Sequence, residues 1–412
     1  MCRVSRCLVI AAFAAVACDR SGKAASAAAH EPSGNAPSAL RQGSVGGQLD
    51  HVRPPVPPCL PDQPDPTSGL LMDRAATEYE RQRYDRALAC SDEAVEIEPR
   101  LVPALHYRAA SLAALGRLDE ARLAFSRALA VDPDDPETLW SASDFYVSKL
   151  GADRDALEVG LEYAERGARV AVKRSHHDRD LASRLLVLAA MAENDLGRSR
   201  PALAHADQAL AERTDEVDAL YERGVALYEL CRFADAERAF AKMLQEALDD
   251  GWAVHYLGLL EERKGDQANA QTLFRRAAEL EPTEFKAELA TDRRAFQVEL
   301  DQAIGSLDAA DKRALQTVPV EVEDLPSLAD LTAVDPPLSP SILGLYRGPS
   351  EKESCEASDG PKCRSIVLYR KNLIRFARDA QELSEQVKVT LLHELGHYHG
   401  ESDERLRARG LE

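Results

Sequence analysis

The sequence predicts a mainly α protein, an α-solenoid of paired helices followed by a small α+β domain. Three observations predict it. Alanines and aromatics recur every 34 residues through the middle of the chain. Aromatics are only 5% of a composition led by Ala and Leu, which suits close packing of helices through small residues. Past residue 288 the period gives way to short alternating runs and one long apolar helix.

Taken in order, the 412 residues divide into four segments. Residues 1–18 read as an export signal: Arg3 and Arg6 precede an apolar run from Leu8 to Ala17, too short for the roughly 20 residues a membrane-spanning helix needs. The run ends in "AVAC", which resembles the lipobox of bacterial lipoproteins. That resemblance implies lipidation of Cys18; ordinary cleavage after Ala15–Ala17 is the alternative, since the usual first Leu of the box is Ala15 here. The expected location is outside the bacterial cytoplasm, on a membrane facing the periplasm or exterior and held there only by the N-terminal lipid. Residues 19–66, rich in Ala, Ser, Gly and Pro without periodicity, read as a disordered tether.

Residues 67–288 carry the period. Ala87 and Ala121, Ala94 and Ala128, and Pro99 and Pro133 are each 34 apart, as are Ala202, Ala236 and Ala270, and Ala206, Phe240 and Phe274. This is the signature of tetratricopeptide repeats: small residues where helix backbones approach, and prolines that stop the second helix of a pair. Between Ala121 and Ala202 the gap is 81 rather than 68, so "ETLWSASDFYVSKLGADRDALEVGLEYAERGARVA" reads as one longer pair among about six. Such stacks present a concave face that takes a protein or peptide. His176 and His177, in the irregular part, read as solvated.

Residues 289–412 change character. "RRAFQVELDQAIGSLDAADKRAL" reads as one helix, "TVPVEVED" and "RSIVLYR" as strands with "PLSPSILGLYRG" between them, and a buried helix runs from about Asp379 to His399. That helix contains "HELGHYHGESD". His393 and His397, four residues apart, share a helix face on which two imidazoles reach one metal ion. Glu394 between them stands where a metallopeptidase keeps its general base. Gly400 can end the helix in a left-handed turn and return the chain so that Asp403 becomes the third ligand. His399 is another candidate ligand, two positions past His397 and directed elsewhere if the helix continues. The bland alternative is a helix with two structural histidines and a surface aspartate.

From Phe296 to Glu412 the tail resembles the small bacterial zincin-like metallopeptidases, minimal domains described as matrix-metalloprotease-like. The resemblance rests on "VEVEDLPS", "ILGLYRG", "IVLYRKNLIRFA" and "VTLLHELGHYHGESDERLRARG", in that order. It implies the pattern H-E-x-x-H-x-x-G-x-x-D, with His393, His397 and Asp403 on one zinc ion per chain and Glu394 as base. The departure is the "EKESCEASDGPKC" insertion, placed before the expected substrate-pairing edge strand at residues 366–369. Other divalent metals suit two imidazoles and a carboxylate as well.

Of the eight cysteines, seven besides Cys18 remain to be placed. Cys2 and Cys7 leave with the signal, and Cys90 and Cys231 read as small core residues inside repeats. Cys355 and Cys363 flank a polar turn and, in an exported chain, pair as a disulfide; Cys59 is left unpaired.

Two functions follow. The first is an exported zinc metalloendopeptidase whose repeats hold a substrate or partner. The second is a lipid-tethered repeat scaffold whose zincin-like domain is latent or structural. Glu394 favours the first, because a structural site has no need of it. A net charge of −19 disfavours nucleic acid as a partner.

Overall fold

A computed structural model describes residues 59–60, 66–173, 177–285, 289, 291–355 and 363–411. The export signal with Cys18, the rest of the tether and His176 lie outside the described residues. No helix among the described residues is long and apolar enough to cross a membrane.

Helices α1 (Ser68–Glu80) and α2 (Tyr84–Ile97), α3 (Val102–Ala114) and α4 (Leu118–Val131), α5 (Pro136–Asp144) and α6 (Arg154–Lys173), α7 (Arg179–Asp195) and α8 (Ser199–Glu212), α9 (Val217–Glu229) and α10 (Phe233–Glu246), and α11 (Gly251–Lys264) and α12 (Gln267–Leu280) follow in pairs. The alanines of the 34-residue period are buried in the second helix of their pairs. The glycines show why small residues are needed. A Cβ on Gly224 would stand 2.6 Å from the Phe240 ring, and one on Gly258 would stand 2.6 Å from Phe274. These Gly–Phe contacts repeat the period in three dimensions. Pro99 and Pro133 fall just beyond α2 and α4, where the chain leaves the helix. The irregular pair extends α5 by a π-helical turn, Phe145–Lys149, and lengthens α6; Gly160 and Gly167 let α6 close on Val147 and Leu185.

The chain then forms α13 (Arg293–Ser306) and α14 (Ala309–Ala314). The sequence reading joined these into one helix. The break is local: Leu307 is extended, and the Asp308 carboxylate caps a new helix by accepting from the Ala310 and Asp311 N–H groups at 2.8 Å. Strands β1 (Val320–Glu323), β2 (Gly344–Arg347) and β3 (Ser365–Tyr369) form a sheet of order β1-β3-β2, with β1 parallel and β2 antiparallel to β3. Short helices α15 (Leu328–Leu331) and α16 (Arg370–Phe376), the long α17 (Ala380–Tyr398) and the terminal α18 (Asp403–Ala408) complete it.

β3 is central and buried on both faces, which its unbroken apolar run requires. Ile366 and Leu368 pack with Phe296 and Leu300 of α13 and Leu383, Val387, Leu391 and Leu395 of α17. Val367 and Tyr369 face the other way, into a cluster with Leu331, Leu338 and Ile342 that Cys231 and Phe233 of the repeats complete. The repeats therefore cover the second face of the sheet. An ion-pair set fixes this contact. The buried Glu262 of α11 accepts from Lys371 Nζ at 2.8 Å and Arg375 Nη2 at 2.7 Å, both from α16. Breaking such a set by removing one partner leaves buried charge unpaired and costs several kcal/mol, on the order of 3–5.

Two cysteine readings are corrected. Cys59 is buried and bonded to Cys90, with a Cα–Cα distance of 4.8 Å, and its N–H donates to Glu93 Oε1 at 2.8 Å. Cys90 is in the core, but as half of a crosslink that pins the end of the tether against α2. Sequence spacing does not reveal that residue 59 folds back onto the helix. Cys59→Ala should lower stability by about 2–4 kcal/mol. Thermal unfolding of the oxidised chain beside the variant checks this, and an unchanged Tm counts against the crosslink.

Candidate metal and catalytic site

α17 supplies both core and chemistry. Its N-cap Asp379 accepts from the Glu382 N–H at 2.9 Å, while the Glu382 carboxylate accepts from the Arg378 N–H at 2.6 Å. Leu383, Val387, Leu391 and Leu395, spaced by four, bury one stripe against the sheet. Glu394 is buried beside this stripe, and His393 and His397 lie on the neighbouring face, half-buried. The helix ends at the C-cap His399. Gly400 follows at φ +81°, its N–H donating to the His397 carbonyl at 2.9 Å, and the Glu401 N–H donates to the Gly396 carbonyl at 2.9 Å. This pair of bonds is a Schellman turn, which reverses the chain. α18 can then lie close because Gly396 has no side chain: a Cβ there would stand 2.3 Å from Leu406 Cδ2.

The reversal orients both imidazoles. His397 Nδ1 is 3.1 Å from the Glu401 carbonyl oxygen, and His393 Nδ1 is 2.6 Å from that of Leu411. A carbonyl only accepts, so each Nδ1 carries the proton and each Nε2 keeps its lone pair. The two Nε2 atoms face each other at 3.1 Å. Asp403 Oδ1 lies 3.2 Å from one and 3.6 Å from the other, buried and without a hydrogen-bond partner among the described residues. All three ligand atoms lie within 4.8 Å of one another. Three converging lone pairs and an orphaned carboxylate oxygen fit a cation, and the donor set of two imidazoles and one carboxylate fits zinc.

The electrostatics agree. Burial alone would lower the pKa of His393 and His397, yet the adjoining Asp403 carboxylate and the nearby Glu394 charge hold both above the ordinary value. Burial would raise Asp403, but the two histidines pull it down to about 2. Protons and a metal ion compete for the same nitrogens.

Glu394 is only 3% exposed. Burial holds its carboxyl above the usual range; the two imidazoles and a hydrogen bond from the Tyr346 N–H draw it back. Its neighbour is β2. A Cβ on Gly344 would stand 2.6 Å from Thr390 Cγ2 and 3.1 Å from both Cγ and Oε1 of Glu394. Only glycine lets the strand pass this close to the helix.

β2 also corrects the expected substrate strand. Residues 366–369 lie in β3, paired on both sides, so their backbone is not free. The Tyr369 N–H donates to the Leu343 carbonyl, so Leu345 and Arg347 continue the bonded pairs with β3. Gly344 and Tyr346 face the opposite edge, toward Glu394. The insertion follows this edge strand, forming the β2–β3 connection. Cys355 and Cys363 are bonded within it, with Cα atoms 6.0 Å apart. Its first residues rest on the end of α17, where the Glu351 N–H donates to the Tyr398 carbonyl at 2.7 Å. His399 pairs with Glu351 Oε2 at 3.0 Å and stays outside the cluster. His177 pairs with Glu212 at 3.0 Å.

The residues that sequence reasoning missed act through backbone: the carbonyls of Glu401 and Leu411 and the N–H of Tyr346. No residue type marks them. Gly344 does leave a trace, as a glycine inside an otherwise apolar strand run.

Known proteins resemble both halves of this architecture. The family described as zincin-like metallopeptidase matches residues 315–411, and the tetratricopeptide repeat matches residues 102–135, which are α3 and α4. The chain thus carries a tetratricopeptide repeat and, near its C-terminus, a zincin-like metallopeptidase domain. No curated protein matches the chain. Among solved structures, Pseudomonas aeruginosa pilF is 14% identical, with 56% of this chain covering 97% of that one at a TM-score of 0.46. A thermophilic tetratricopeptide-repeat protein of Thermus thermophilus is 22% identical, with 47% of this chain covering 99% of that one at a TM-score of 0.37.

Gly344→Ala tests the close approach of β2 and α17. The added methyl should cost about 1–3 kcal/mol by overpacking, read as a lowered Tm. A variant as stable as the parent would mean that the strand and helix are further apart.

Proposed function

We propose that the chain is an exported zinc metalloendopeptidase, with His393, His397 and Asp403 as ligands, Glu394 as general base, and the repeats as the holder of a protein or peptide. The observation that carries this reading is the orphaned Asp403 Oδ1 opposite two Nε2 lone pairs, with a buried, non-ligating carboxylate beside them. His393, His397 and Asp403 would hold a zinc ion, which would supply an acidified water and a Lewis acid for the scissile carbonyl. Glu394 takes the water proton, an uptake that burial of the carboxylate favours, and passes it to the leaving amine. An extended peptide lies along the outward edge of β2, with Gly344 keeping its backbone close to Glu394. The disulfides Cys59–Cys90 and Cys355–Cys363 suit an oxidising compartment, in keeping with an export signal and a lipid on Cys18.

Metal content and peptide-library cleavage test the proposal on the wild type, Glu394→Ala and His397→Ala. The expected result is that His397→Ala loses one zinc per chain, and that Glu394→Ala keeps this zinc but loses cleavage. Zinc with no cleavage in the wild type would favour the tethered scaffold with a latent or structural site. Zinc content indifferent to His397→Ala would overturn the metal assignment.

A further inference from the structure

A second group of metal-competent side chains lies in the repeats, far along the chain from α17. Glu165 of α6, Glu193 of α7 and His205 of α8 bring one ligand atom each within 4.8 Å of the others. His205 Nε2 is 3.8 Å from Glu165 Oε1. Three successive helices meet there, in the longer and irregular part of the solenoid.

Glu193 is the unusual member. Its side chain is only 7% exposed, and its Oε2 has no hydrogen-bond partner among the described residues. The nearest cation cannot satisfy it. Arg198 Nη1 stands 3.9 Å away because both of its terminal nitrogens are taken by Glu158. His205 Nδ1 is likewise buried without a partner. Arg169 touches only the outer oxygen of Glu165, at 3.4 Å. A buried carboxylate oxygen with no donor is costly unless a cation or a proton meets it.

The geometry points to a second divalent-metal site, formed by Glu165, Glu193 and His205 and taking a zinc-class transition ion that clasps α6, α7 and α8. One imidazole nitrogen with two carboxylate oxygens suits such an ion better than calcium or magnesium, which prefer all-oxygen shells. Ligand atoms on a tetrahedral zinc lie about 3.3 Å apart, given bonds of about 2.0–2.1 Å. Closing from the present separations takes side-chain rotation at the two partly exposed residues, Glu165 and His205, while the buried Glu193 stays as the anchor. The clasp ties the lengthened pair to the regular repeat after it, at the point where the 34-residue register is lost.

The test uses the full chain with the site on α17 disabled by His397→Ala, so that any remaining zinc reports on the repeats. Zinc per chain is measured after gel filtration, with affinity from titration and Tm with and without zinc. The expected result is one zinc per chain and a zinc-dependent rise in Tm. Adding His205→Ala or Glu193→Gln should weaken that zinc by more than about 100-fold, since partners one step further from a metal are already worth about 10–100-fold. Glu193→Gln keeps the shape and removes the charge, so it reports on binding even if His205→Ala folds poorly. The proposal is overturned if His397→Ala holds no zinc, or if its zinc survives both further substitutions. A Glu193 carboxyl that is simply protonated would give the first of these outcomes.

Discussion

Everything at the C-terminal end depends on one chain reversal, the left-handed turn at Gly400. It terminates α17 at Tyr398, with His399 as the C-cap, and satisfies the last helical carbonyls within the turn. It also aims the Glu401 carbonyl at His397 and carries the chain on to Leu411, whose carbonyl holds His393. Both imidazoles therefore present the same nitrogen to the same point, and Asp403 arrives on the returning stretch of chain. A helix that ran on would keep the two histidines but scatter the third donor and free the rings to turn.

The site is built on a helix that the domain cannot move without losing its core. Leu383, Val387, Leu391 and Leu395 lock α17 to β3, so the histidines inherit the rigidity of the packed stripe. Burial of Glu394 comes from the same packing, through the approach of β2 that Gly344 permits. In this domain the hydrophobic core and the electrostatics of the site are consequences of a single helix–sheet contact.

The repeats are more than an appendage. They close the second face of the sheet with Phe233 and Cys231, and they anchor α16 through the buried Glu262. A sheet of three strands has little area with which to bury an apolar central strand on both sides. Here the solenoid supplies the missing cover, which holds the domain carrying the candidate site against the last helix pairs.

The sequence by itself determined the solenoid, because a 34-residue recurrence of Ala and Phe can be satisfied only by stacked helix pairs. It also determined which residues of α17 could hold a metal, because spacing by four fixes a helix face whatever surrounds it. Gly400 marked the end of that helix in advance, through a left-handed stop that is local. Tertiary structure alone decided the rest. The pairing of Cys59 with Cys90, the central place of β3, the role of β2 as the free edge, and the break between α13 and α14 all turn on which segments meet, or on which of several possible caps is used. The carbonyls that orient the histidines are backbone atoms, common to every residue type. Their function comes only from position, and position is what folding adds.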